Sequence, residues 1–207
     1  MLSPKMFLSR LERFDASLPN HLIMGCDPGV HEAAFFWRIG GKYHYCVVAS
    51  DHKALADPMQ MASPTGLIPA LRKAIAGGII PAAANTLVVE GQEVYRNKKH
   101  INPNDIRRLA FASGLVAMAV DHQAIYCPAP VAWKGNVHKA IHHQRIAARL
   151  GISVMLSKGK DPYAIPLTKE DWLRAGQQHD NVNKGDWKHL FDAAGLMIHG
   201  IESMRIL

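Results

Sequence analysis

The chain has 207 residues, 48% of them hydrophobic, enough for one domain with a full core and too few for two comfortable ones. The 24 Lys and Arg against 17 Asp and Glu give a formal charge of +7 and a pI near 9.4, a balance that favours polyanionic partners such as nucleic acid or an anionic membrane surface. No apolar run approaches the roughly 20 residues that cross a bilayer, and MLSPKMFLSRLERFD carries charge where a secretory signal needs a continuous apolar stretch; the expectation is a soluble, cytoplasmic protein with no membrane partner.

Residues 1–20 mix charged and apolar groups in MFLSRLERFDASL, which predicts an N-terminal arm or short amphipathic helix ahead of a main domain over 21–207. From Leu22 the pattern becomes LIMGCDPG, a short apolar run closed by Pro28-Gly29. AAFFWRI, Gly40-Gly41 and KYHYCVVAS follow, predicting three successive antiparallel strands with a hairpin at the glycine pair. TGLIPALRKAIAGG has apolar residues at helical spacing and stops at Gly77-Gly78, and TLVVEGQ then reads as a buried strand. The same crossover repeats in NPNDIRRLAFASGLVAMAV, with Asn102 or Asn104 as cap, followed by the strand-like AIYCPAP. VHKAIHHQRIAARLG predicts a helix stopped by Gly151, and KGDWKHLFDAAGLMIHGIESM a long final one. Between them, 152–184 is rich in Lys, Asp, Pro, Gly and Gln and reads as a loop-rich insertion. The order predicts an α/β fold, a mixed five-stranded sheet of three antiparallel strands plus two parallel ones, flanked by helices.

Cys26, Cys46 and Cys127 are odd in number, show no CxxC spacing and lie in apolar segments, so they read as reduced, buried small hydrophobes. In HKAIHH, His138 and His142 stand one helical turn apart and His143 follows. No third ligand or neighbouring Glu completes an HExxH-type zinc site, and the segment reads as a basic helix facing solvent or phosphate.

Two-metal phosphodiester hydrolysis needs carboxylates converging from separate elements, because ions roughly 4 Å apart must contact both attacking and leaving oxygens. Hard oxygen ligands suit Mg²⁺ or Mn²⁺. Asp27 ends an apolar strand just before Pro-Gly, and Glu90 ends TLVV in the same way; either acid can alternatively cap a helix or pair with a basic neighbour. Asp192 lies in HLFDAAGLMIHG on a helix face that reads as packed into protein, where an unpaired carboxylate is costly and a metal would relieve the cost. His189, three residues earlier, points the same way. Asp186, three residues further back, is off that direction by about a third of a turn and reads as a surface acid or cap.

The segments GCDPG at 25–29, VVEGQ at 88–92 and HLFDAAGL at 189–196 resemble, in order, the three acidic motifs of the RuvC-like Holliday junction resolvases. The resemblance implies a ribonuclease-H-like fold, with which the predicted element order is compatible. It further implies a homodimer, two Mg²⁺ ions per active site with Mn²⁺ able to substitute, no small-molecule cofactor, and paired nicks across four-way DNA junctions in recombination or repair. By position, Asp27 and Glu90 correspond to metal ligands from the first and fourth strands, His189 and Asp192 to the last-helix pair, and Lys134, in PVAWKG, to a basic residue near the scissile phosphate. Residues 1–20 have no counterpart in that pattern and 152–184 is longer than in bacterial members, which points to a phage or viral relative acting in a bacterial or phage-infected cell. The alternatives are a nuclease of the same fold acting on flaps, forks, other branched DNA or RNA–DNA hybrids, and a non-catalytic DNA-binding module.

Directly after Glu90, Tyr95, Arg96, Lys98, Lys99, His100, Arg107 and Arg108 form a basic and aromatic mixture suited to phosphates and unpaired bases. A solvated charged face is the competing account. Lys134, Lys139, Arg145 and Arg149 make a second basic stretch, and Lys158, Lys160, Lys169, Lys184 and Lys188 a third. Spread over several segments, these charges suit a long DNA surface better than a small-molecule pocket.

Overall fold

The early apolar runs pair as a meander: β1 (Ile23–Pro28), β2 (Glu32–Ile39) and β3 (Lys42–Ala49) are antiparallel neighbours. The structure is a computed structural model, and it describes residues 3–50, 66–92, 103–152, 154–156, 164–166, 177–178 and 187–204. Gly40 and Gly41, at φ 57° and 76°, make the two-residue turn between β2 and β3; glycine takes these left-handed values without steric cost, and they match the twist of the paired strands. Helix α2 (Leu67–Ala76) leads to β4 (Ala83–Val89), and α3 (Pro103–Ala119) leads to β5 (Asp121–Tyr126). Strand β4 runs parallel to β1, and β5 parallel to β4. The order β5-β4-β1-β2-β3, half parallel and half antiparallel about a central β1, is a ribonuclease-H-like sheet.

After β5 come α4 (Pro130–Lys134), α5 (Lys139–Leu150) and, last in the described chain, α6 (Trp187–Ser203). The 152–184 stretch supplies an antiparallel pair, β6 (Val154–Leu156) with β7 (Ala164–Pro166), and a two-residue strand β8 (Gln177–Gln178) parallel to β3. The main sheet therefore has six strands where five were expected, because β3 keeps a free edge onto which two extended residues can pair.

Strand alternation sends successive side chains to opposite faces. Met24, Cys26, Phe35, Leu87 and Val89 meet Leu67 and Leu71 of α2 and Ala112 and Val116 of α3 in one core. Ile23, Ala34, Phe36 and Val88 meet α1 (Pro4–Ser17), α5 and α6 in the other. Helix α1 starts at Ser3, whose side chain accepts from the Met6 amide, with Pro4 in its first turn. It buries Phe7, Leu11 and Phe14, one face at helical spacing, each contributing roughly 1.5–3 kcal/mol. An ion pair between Arg38 of β2 and Asp15 joins α1 to the sheet.

Cys26 and Cys46 are buried free thiols, and burial pushes the Cys46 thiol up to about 12. Cys127, expected to be buried, is exposed, because it follows β5, an edge strand whose residues are mostly open to solvent. Among the described residues, no helix is long and apolar enough to cross a membrane.

Helix α6 lies on the sheet through small residues. A Cβ on Gly25 of β1 would sit 2.1 Å from the Ala193 carbonyl oxygen and 2.6 Å from the Met197 nitrogen, both backbone atoms of α6. Neither can move without shifting the helix. Gly25→Ala is therefore expected to lower stability by about 3 kcal/mol or more, read as a fall in the urea midpoint; a change under about 0.5 kcal/mol, the usual range of an unconstrained surface site, would show that this contact does not set the helix position.

Candidate active site

Alternation places the first two acids. Asp27 is two residues beyond Gly25 and so faces α6, and Glu90 is two beyond Val88, on the same face. The Glu90 amide donates to the Cys26 carbonyl at 3.2 Å, continuing the parallel ladder by one residue and setting Glu90 beside Asp27. Ser113 of α3 donates its hydroxyl to the Glu90 carbonyl at 3.3 Å. From above, α6 presents Asp192, adjacent to the Ala193 that touches Gly25, and His189 one turn earlier. Three carboxylates from three elements thus gather at one end of the sheet, close enough that Asp192 raises the proton affinity of Asp27 and that both raise the proton affinity of Glu90.

Each acid has a basic partner. His189 Nδ1 lies 2.8 Å from Asp27 Oδ2, Lys134 Nζ donates to Glu90 Oε1 at 2.7 Å, and Lys139 Nζ donates to Asp192 Oδ2 at 2.6 Å. The other Asp192 oxygen is 3.1 Å from His143 Nε2. Lys134 ends α4, its ammonium 4.6 Å from the Trp133 ring centroid. Lys139 opens α5, and His143 follows at i+4, on the same helix face.

The partners decide the protonation states. Burial pushes the Asp27 carboxyl up, against the opposing hydrogen bond from His189. Burial likewise pushes Glu90 up, against Lys134. Burial also works against the charge of Asp192, but His143, Lys139 and Lys134 together outweigh it and hold this carboxyl below the usual range. The hydrogen bond to Asp27 raises the His189 imidazole, with a further contribution from Glu32. Burial disfavours the Lys134 ammonium, yet Glu90 and Asp192 hold its affinity for the proton above the ordinary value.

Desolvated carboxylates that draw cations are the right donor chemistry for a hard divalent ion. Among the described residues, no three of His, Cys, Asp and Glu already form a group able to hold one; the acids are instead turned to their separate basic partners.

The expected residues Asp27, Glu90, Asp192, His189 and Lys134 come together. Lys139, expected as a DNA contact, is half-exposed and pairs with Asp192. His142 and His143 are each 1% exposed, which overturns the expectation of a solvent- or phosphate-facing basic helix: α5 packs on α6 through the face that carries them. Arg149 of the second basic stretch is also buried, paired with Glu202. Arg107 and Arg108 are exposed on α3, Arg108 near Asp105 at 3.5 Å. Tyr95, Arg96, Lys98, Lys99, His100 and Asp186 lie outside the described residues. Two site residues escaped the sequence reading. His143 is one, although it lies in the apolar stripe Ala140, Ala147, Leu150. Glu32 is the other, its carboxylate 3.4 Å from His189 Nε2; it shares parity with Ala34 on the α6 side of β2.

His142 packs edge-on against Trp133 at 5.0 Å, and neither ring nitrogen has a hydrogen-bond partner. Burial lowers its pKa to about 3. A group depressed in the folded state contributes stability above its unfolded pKa, and that stability is lost as pH falls below about 6.5. The wild type is expected to lose about 2 kcal/mol between pH 6.5 and pH 5 through this group, and His142→Leu to lose correspondingly less. Urea unfolding at the two pH values checks it; parallel losses in both proteins would refute the assignment.

Solved structures similar to this chain include Thermus thermophilus RuvC in complex with a Holliday junction substrate, at 17% identity over 87% of this chain and 93% of that one, with a TM-score of 0.48. Another is Thermus thermophilus RuvC itself, at 16% identity over 87% and 93%, with a TM-score of 0.45. No protein-family model matches the chain, and no curated protein does.

Proposed function

We propose that this chain is a divalent-metal-dependent, structure-specific endonuclease that cleaves branched DNA, foremost four-way junctions, by paired nicks as a homodimer. The observation that carries the reading is the convergence of Asp27, Glu90 and Asp192 from β1, the end of β4 and α6 onto one partly buried spot, ringed by Lys134, Lys139, His143 and His189. The motif resemblance supplies the junction, the paired nicks and a role in recombination or phage DNA processing.

In this reading Asp27, Glu90 and Asp192 hold Mg²⁺ or Mn²⁺, with His189 as a fourth contact. The bound ions supply charge neutralisation at the phosphate and activation of water. The chain's own groups do the rest. His143 and Lys139 keep Asp192 ionised, and Asp27 orients His189 through Nδ1, leaving Nε2 toward Glu32. Lys134 and Lys139 bring to this end of the sheet the positive charge that a phosphate group meets. Support for a second copy comes from an apolar surface: Phe111 and Met118 of α3 and Ile125 and Tyr126 of edge strand β5 are all exposed, Met118 at 85%. Phe111 and Met118 stand two turns apart on one helix face, and β5 keeps one unpaired edge among the described strands.

The test is cleavage of a four-way junction, a flap, a fork and an RNA–DNA hybrid with Mg²⁺. Symmetric nicks in the junction are expected. Asp27→Asn and Asp192→Asn should each lower the rate by roughly two orders of magnitude or more while junction binding persists. Wild-type rates in Asp27→Asn would remove the site assignment; preference for a flap or hybrid would replace the substrate; metal-independent binding without cleavage would favour a non-catalytic module.

A further inference from the structure

We infer that His143 is a positioning residue for Asp192: it holds one carboxylate oxygen, Oδ1, and so leaves the other, Oδ2, to a divalent cation. The inference rests on the reading of Asp192 as a metal ligand. Asp192 is buried, and its two oxygens are held in different ways. His143 Nε2 lies 3.1 Å from Oδ1, and Lys139 Nζ lies 2.6 Å from Oδ2. Lys139 and His143 stand one turn apart on α5, so one helix face delivers both partners to a single carboxylate. Their freedom differs. The His143 side chain is 1% exposed and that of Lys139 50%. The His143 ring stacks on Phe191, the residue before Asp192, with centroids 5.4 Å apart and planes at 26°. Its neighbour His142 packs edge-on against Trp133, which lies close over Gly195 of α6. These ring contacts fix the rotation of α5 against α6.

An ionised carboxylate only accepts hydrogen bonds, so the ring donates through Nε2. A cation that took Oδ1 would strand this buried N–H, which is costly. A cation that takes Oδ2 displaces an ammonium on a flexible four-carbon stem, and water receives the displaced group because the side chain is half-exposed. Oδ2 is therefore the oxygen that can exchange partners, while the Oδ1 bond keeps the carboxylate plane in place. Carboxylates that bind metals are commonly oriented by such a hydrogen bond. Plain charge neutralisation gives a different pattern. If His143 and Lys139 served only to offset the carboxylate, removing either would strengthen cation binding; a positioning His143 makes the two removals act in opposite directions.

The experiment is Mn²⁺ titrated into the full-length, DNA-free protein and followed by calorimetry, in wild type, His143→Phe, His143→Gln, Lys139→Met and Asp192→Asn. Phe keeps a ring to stack on Phe191 and removes the donor; Gln keeps an N–H donor of similar reach. Expected in His143→Phe is affinity lower by roughly 10–100-fold, the range for losing a group that orients a ligand. His143→Gln is expected to recover most of that loss, and Lys139→Met to bind more tightly than wild type. Urea unfolding of each variant separates lost binding from lost fold. Because Lys139 is half-exposed, its variant tests the oxygen assignment even if His143→Phe fails to fold. With Asp192→Asn losing the ion, three results overturn the inference alone: wild-type affinity in a folded His143→Phe, equal weakening by Phe and Gln, or no gain in Lys139→Met. Asp192→Asn binding as tightly as wild type overturns the ligand reading itself, and the inference with it.

Discussion

The backbone of α6 rests directly on Gly25 of β1, and the arrangement of the acids depends on that approach. With no side chain at Gly25, the Ala193 carbonyl and the Met197 nitrogen occupy space a Cβ would need. Gly195 and Gly200 repeat the device, one beneath Trp133 and the other above Val88 and Ile23. Glycine in a helix costs about 0.5–1 kcal/mol relative to alanine. Burial of Leu190, Leu196, Met197, Ile198 and Ile201 offsets that cost. Two residues beyond Gly25 comes Asp27 and immediately before Ala193 comes Asp192, so one backbone contact fixes the meeting of strand acid and helix acid.

Bringing three carboxylates out of water onto one spot is unfavourable unless positive charge comes with them. The compensation is uneven. Asp192 has two partners, His143 and Lys139, and stays a strong acid despite its burial. Asp27 and Glu90 have one each, and burial still leaves them raised. Two ammoniums against three carboxylates leave one negative charge for His189 or another cation to meet. Asp27 and Glu90 are the acids that gain most from further positive charge, and both lie at the ends of neighbouring parallel strands.

Asp27 and Glu90 were legible in the sequence because a carboxylate ending an apolar run has few uses, and because the hairpin glycines and crossovers fixed which runs are neighbours. Asp192 was legible because its helix is apolar nearly all round. The partners were not, since they depend on how α5 is rotated against α6, a tertiary choice that no local spacing encodes. Part of that rotation was nevertheless present: Ala140, His143, Ala147 and Leu150 form a stripe at helical spacing, and a histidine inside such a stripe is buried. Reading HKAIHH by its charge alone obscured this. Glu32 was missed for a related reason, since it reads as the polar start of a strand until parity with Ala34 turns it toward α6. The 152–184 stretch lacks periodicity; β8 depends on the free edge of β3, and β6 and β7 depend on each other.

The basic balance of the chain, read at first as a surface for a polyanion, is divided between two uses. Arg38 serves Asp15, Arg149 serves Glu202, and Lys134 and Lys139 serve the acids of the site. A charge committed to a buried carboxylate neutralises it and adds little to the long-range field, so the field open to a polyanion is weaker than the count of basic residues implies. On the proposed function Lys134 and Lys139 belong to both uses: the positive charge that lets the acids sit together is also the positive charge that an arriving phosphate would meet. On the proposed function, acid burial and phosphate affinity are linked through the same two side chains.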